Sequence, residues 1–125
     1  MLSKVLLFCM LGVVLFALQI ESSYESAHQK ALKTKKILVV FITQKGCSEC
    51  NKELLKLMQN SEVNAHLHER GYFVVVVQDQ KETYPIEMLY SEVYPAVFFL
   101  NNEELFVCDT LQGEIEVSKL LKCLK

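Results

Sequence analysis

The sequence predicts an α/β fold in three layers, with a mixed four-stranded sheet between helices. Three observations carry that prediction. Two runs, KKILVVFIT (35–43) and YFVVVVQ (72–78), are almost wholly β-branched, aliphatic or aromatic, the composition of strands buried on both faces. The segment between them has helical spacing and capping residues, so the two strands are parallel with a right-handed crossover. A third run, AVFFL (96–100), ends at Asn101–Asn102, a hairpin turn signal, so the last two strands are antiparallel.

Each element follows from its residues. Ser22 and Ser23 cap a first helix that runs to about residue 33, with Ala27, Ala31 and Leu32 on one side. The first strand, 35–43, leads through a turn at 44–46 into a helix from about Cys47 to Gln59, whose apolar content is Leu54, Leu55, Leu57 and Met58. The Lys/Glu scatter of that helix reads as a solvated face. Asn60 and Ser61 interrupt it, and Ser61 caps a second helical piece with Val63, Ala65 and Leu67 inward, closed by Gly71 as a C-terminal glycine. After strand 72–78 come a polar loop at 79–84 and a short helix at 85–91. Tyr94–Pro95 leads into the third strand. Residues 104–110 form the fourth strand, at the sheet edge, and 114–124 a closing helix with Val117, Leu120, Leu121 and Leu124 toward the sheet.

The 125 residues suffice for one small domain, and 51% of them are apolar, enough for a packed core. Part of that count belongs to the N-terminus. Lys4 precedes an uncharged apolar run from Val5 to Gln19, then ESSYESAHQK ends it abruptly. This is the layout of a secretory leader, and at about 15 residues the run is short for a spanning helix. Residues 1–21 are therefore expected to be a signal peptide cut near 17–23, with an uncleaved membrane anchor as the alternative; 22–125 form the domain. The formal charge of −2 is spread out, and no basic stripe points to nucleic acid. The chain ends in KCLK, not a retention tetrapeptide, so a bacterial periplasm is expected before a eukaryotic secretory lumen.

Export gives the cysteines their meaning. Of five, Cys9 leaves with the leader, and Cys47, Cys50, Cys108 and Cys123 remain. An even number in an exported chain favours disulfide chemistry. Cys47 and Cys50, at C-x-x-C spacing, stand where a buried strand gives way to a helix, at the sheet end where α/β proteins bind ligands. Free N–H groups and the positive end of the helix dipole stabilise a thiolate there. Cys47 is then the attacking sulfur, and Cys50, one turn in and less exposed, resolves the mixed disulfide. Two other readings stay open. One is a structural cystine, although so small a ring stabilises little. The other is a metal site recruiting His66 and His68, but alternate residues on a helix point about 200° apart. No metal and no bound cofactor are expected.

The segments KILVVFITQKGCSEC and EVYPAVFFLNNEEL, with the element order around them, resemble the thioredoxin-like superfamily over about 36–124. The chain looks most like the small exported thioredoxins of bacteria. The resemblance implies that Cys47 is the nucleophile and Cys50 the resolving cysteine. It also implies that Pro95 is the cis-proline beside the pair, with the Tyr94 backbone pairing with an extended substrate and its ring at the rim of the site. Four departures matter. Gly46 replaces the Trp of W-C-G-P-C, and Ser48–Glu49 replace Gly-Pro. The family's buried acid would fall near Phe41 and is missing, so proton transfer must use water, Glu49 or another group. Glu49 also disfavours the thiolate, with Lys45 and Lys52 as offsets. No His lies between the cysteines, and a moderately reducing pair is expected.

Cys108 and Cys123 fall on the last strand and last helix, which pack together in that fold. They form either a structural disulfide or two buried thiols; a relay pair is a third option. Tyr84, Tyr90 and Tyr94 flank the proline as core or rim packing. The expected function is disulfide exchange with exported proteins or peptides, recycled by a separate redox partner, with the membrane met only through an uncleaved N-terminus. The alternative is a non-catalytic peptide-binding module that uses the Tyr94–Pro95 edge.

Overall fold

Alternation along the first long strand sets the layers. The computed structural model describes residues 19–77, 89 and 91–125 of the chain. Its elements are β1 (Ile20–Glu21), α1 (Tyr24–Thr34), β2 (Ile37–Thr43), α2 (Ser48–Met58), α3 (Ser61–Arg70), β3 (Gly71–Val77), β4 (Ala96–Leu100), β5 (Leu111–Gln112) and α4 (Val117–Leu124). Leu38, Val40 and Ile42 of β2 point to one face, where Ala27 and Ala31 of α1 pack. Val39 and Phe41 point to the other, against Cys50 and Leu57 of α2, Val63 and Leu67 of α3, and Leu120, Leu121 and Leu124 of α4. A strand packed on both faces needs apolar residues at every position, which is why 37–43 shows no polar alternation.

The sheet order is β1-β3-β2-β4-β5. β2 and β3 are parallel from Ile37↔Gly71 to Thr43↔Val77, and β4 is antiparallel to β2, with Ile42 opposite Ala96. The mixed α/β class is as expected, with five strands instead of four. The additional strand, β1, pairs parallel to β3 at Ile20↔Phe73. It uses the last two residues of the segment read as leader, and Glu21 is held by Lys30 of α1 at 2.7 Å. Residues 1–18, the polar loop at 79–84 and most of the short helix at 85–91 lie outside the described residues. Among the described residues no helix is long and apolar enough to cross a membrane.

The expected edge strand at 104–110 is broken. One bridge joins Leu100 to Phe106, and the ladder resumes only at β5, with Val97 opposite Leu111. The cause is local. The Asn101 side chain accepts the N–H groups of Glu103 and Leu105 at 2.9 and 3.0 Å, holding a wide turn with Glu104 at φ 64°. Beyond it, Cys108 is bonded to Cys123 of α4, which draws the chain out of the ladder.

Gly71 closes α3 as expected, its N–H bonded to the Leu67 carbonyl, but it does so in extended backbone, at φ −157° and ψ −179°, and so also begins β3. A Cβ there would lie 3.0 Å from the Ile37 carbonyl oxygen, so close strand contact requires the glycine. The left-handed helix end belongs to Lys35, at φ 59° after α1. Ser23 caps α1, as its position suggested, whereas Asn60 and not Ser61 caps α3, accepting the Val63 N–H at 3.0 Å.

The Asn101 turn is tied back to α1. Tyr24 donates its hydroxyl to Glu104 Oε2 at 2.6 Å, and His28 Nε2 lies 3.1 Å from the Asn102 carbonyl oxygen. Burial, then the hydrogen bond and charge of Glu104, push the Tyr24 phenol well above its ordinary value of about 10. A raised folded-state value favours the neutral phenol in the fold. Its contribution is therefore complete below about pH 10 and is lost as pH rises further. Urea midpoints measured from pH 9 to 11 should fall more steeply for the wild type than for Tyr24→Phe; parallel curves would refute the assignment.

Candidate functional site: a cysteine pair at a helix N-terminus

β2 ends at Thr43, and the chain turns within three residues, with the Cys47 N–H bonded to the Gln44 carbonyl at 3.1 Å. Gly46 completes the turn at φ +76°, a conformation a Trp there would adopt only with strain. Cys47 itself is not helical. It is the N-cap of α2, with extended backbone, and its Sγ accepts the N–H of Cys50 at 3.1 Å. The cap position normally held by a Ser or Asp oxygen is held by sulfur, which places Sγ among the unpaired N–H groups of the first turn. That arrangement favours a thiolate once the pair is reduced.

Cys47 and Cys50 are joined by a disulfide, with Cα atoms 5.3 Å apart. Their environments differ. Cys50 is 1% exposed within the core cluster, whereas Cys47 is half-buried at its margin. Phe41, near the position of the family's buried acid, is fully buried in the same cluster and gives Cys50 an apolar neighbourhood. Glu49, in the first turn of α2, is exposed, as are Lys45 and Lys52.

The sheet register brings the Tyr94–Pro95 segment to the same end. β4 is antiparallel to β2 and starts at Ala96, opposite Ile42, so the residues just before it lie beside the turn that follows β2. The Tyr94–Pro95 peptide bond is cis; Pro95 is buried and Tyr94 half-buried, packing against both core clusters. Cys108 and Cys123 form a second disulfide, with Cα atoms 5.9 Å apart. Cys123 shares a surface hollow with Ile37, at the start of β2, whereas Cys47 follows its end. Seven β2 residues at about 3.3 Å each separate the two ends.

One residue at this end escaped the sequence reading. Glu53, expected on a solvated face, is 5% exposed and accepts the backbone N–H of Ile115 at 3.0 Å. Its other oxygen pairs with Lys56 at 2.8 Å. The signal was present in the spacing, since 50, 53 and 57 form one buried stripe. A glutamate on that stripe has the residue type of a surface position, which masks its place in the period.

Residues 19–102 match a family model described as thioredoxin-like. The chain belongs to the thioredoxin-like family. Among solved structures it is similar to a thioredoxin from Thermus thermophilus, at 20% identity and TM-score 0.70, covering 86% of this chain and 85% of that one. It is similar to a DsbH oxidoreductase at 21% identity and TM-score 0.68, over 86% of this chain and 85% of the other. A putative disulphide-isomerase from Bacteroides thetaiotaomicron matches at 20% identity and TM-score 0.68, over 88% and 92%. At these identities the likeness is one of fold. No curated protein matches the sequence. Family, fold and a C-x-x-C pair at bonding distance together support a thiol–disulfide oxidoreductase.

The unequal burial of the two sulfurs has a direct readout. In reduced protein given limiting iodoacetamide, Cys47 should be labelled before Cys50 by on the order of tenfold, read by peptide mass spectrometry. Equal labelling would contradict the division of roles.

Proposed function

We propose that this chain is an exported enzyme that exchanges disulfides with other exported proteins, with Cys47 as nucleophile and Cys50 as resolving cysteine. The observation that carries the reading is the position of Cys47 Sγ, half-buried and accepting an N–H at the start of α2. In the reducing direction the Cys47 thiolate attacks one sulfur of a substrate disulfide. A mixed disulfide forms and the other substrate sulfur leaves as a thiolate. Cys50, losing its proton, then attacks the Cys47 sulfur. The substrate is released as a dithiol, and the Cys47–Cys50 bond carries the oxidation. A dithiol partner restores the pair. The two sulfurs hold both electrons, so no further cofactor is required.

Tyr94 and Pro95 are the proposed binding edge, supported by their position before β4 beside the cysteine turn. Export is supported by Lys4 and the apolar run after it, and a bacterial periplasm is the location we infer. The leader, or an uncleaved anchor, ends before Ile20 on this reading, so the domain begins slightly ahead of the expected 1–21/22–125 boundary. Pairing of Ile20 with Phe73 favours a cut toward the N-terminal side of 17–23, which would keep β1 in the mature sheet.

Cys47→Ser should abolish insulin reduction, a loss of at least about a thousandfold, and Cys50→Ser should accumulate mixed disulfides visible on non-reducing gels. A protein that retains its partner under both changes, with no trapped species, is a binding module and not an enzyme. Glu49 beside the pair opposes the thiolate, so the reduced form is not strongly stabilised. A potential below about −150 mV in glutathione buffers is expected, and a higher one would overturn that reading.

A further inference from the structure

Glu53 is the one buried acid among the described residues, and the exchange chemistry above does not use it. A carboxylate kept from water is costly unless its oxygens are engaged. Both are: one accepts the Ile115 N–H at 3.0 Å and the other meets Lys56 Nζ at 2.8 Å. Lys56 is a neighbour on the same helix and fixes nothing beyond it. The bond to Ile115 spans 62 positions in the chain.

Ile115 is fully buried, and two residues before it Gly113 donates its N–H to the Pro95 carbonyl at 2.8 Å. The preceding residue, Gln112, donates its side-chain N–H to Ser91 Oγ at 3.0 Å, and Ser91 Oγ in turn bonds the Val93 carbonyl at 2.7 Å. The segment 113–115 is thus held on one side by the cysteine helix, through Glu53, and on the other by the proline segment. Within this network Glu53 is the side-chain tie from α2 to segment 113–115.

We propose that Glu53 is a positioning residue that fixes the Tyr94–Pro95 segment against the cysteine pair through the backbone of 113–115. It rests on the disulfide-exchange reading and deepens it. A substrate strand lying on the proline segment reaches Cys47 only if that segment and α2 keep a fixed separation. The effect belongs to binding of an extended polypeptide disulfide and not to the sulfur chemistry. A small disulfide that needs no strand contact is indifferent to it.

Three variants separate reach from charge. Glu53→Gln keeps an acceptor oxygen at the same reach and drops the charge. Glu53→Asp keeps the charge and loses the reach. Glu53→Ala removes both. With insulin as substrate, Glu53→Asp and Glu53→Ala should raise KM by about fivefold or more with kcat little changed, and Glu53→Gln should stay within about twofold. Rates with the small disulfide 5,5′-dithiobis(2-nitrobenzoate), measured on pre-reduced protein, should stay within about twofold for all three. An unchanged insulin KM in Glu53→Asp overturns the proposal, as does equal loss toward both substrates, or a Glu53→Gln as impaired as Glu53→Asp. The Gln and Asp pair decides the matter even if Glu53→Ala does not fold. Wild-type protein inert toward insulin would instead sink the exchange reading on which the proposal stands.

Discussion

The cap of α2 is a sulfur atom, and most of the site depends on that substitution. A helix start leaves several N–H groups without partners, and proteins usually meet them with a side-chain oxygen. Here Cys47 Sγ takes that place, accepting from Cys50. The bond requires Cys47 to stay extended while Ser48 is already helical, and that requires a chain direction fixed on both sides of the turn. β2 fixes one side, buried between two core layers and paired along both edges. The stripe of Cys50, Glu53 and Leu57 fixes the other, anchoring α2 to the sheet.

The same burial separates the two sulfurs. Because Cys50 lies one turn further along the inward face, it is sunk in the core while Cys47 stays at the margin. The antiparallel run of β4 against β2 then returns the chain to this end of the sheet at Tyr94–Pro95. Segment 113–115 closes the third side by bonding to both. The second disulfide does a different job. With its cysteines 15 positions apart it is worth about 3 kcal/mol by loop-entropy arguments, and it ties α4 to the chain beyond β4.

How far the sequence disclosed this follows from what pattern records. Runs such as ILVVFI and YFVVVV are unambiguous because burial on both faces leaves no polar position, and the layers and parallel pairing follow. The cysteine pair was legible because its spacing coincided with the change from strand to helix. β1 was not, since two residues at a sheet edge carry no period. The expected edge strand at 104–110 does not form as a continuous ladder. Its residues have strand-like composition, but the turn closed by the Asn101 side chain and the Cys108 bond to α4 stop the ladder, and composition records neither. Glu53 was hidden for a related reason. Its burial depends on a backbone N–H 62 positions away, which no local window contains.

The interrupted ladder beyond β4 has a bearing on how the folded protein behaves in a crowded solution. Leu105, Phe106 and Val107 are consecutive, apolar and about half-exposed, the composition that invites another chain to add itself to a sheet. Such templating needs a long, straight row of free N–H and C=O groups. The turn held by Asn101, the single bridge at Phe106 and the departure of Cys108 toward α4 leave no such row. The irregularity acts as a gatekeeper, keeping a sticky segment on the surface without offering it a partner's backbone.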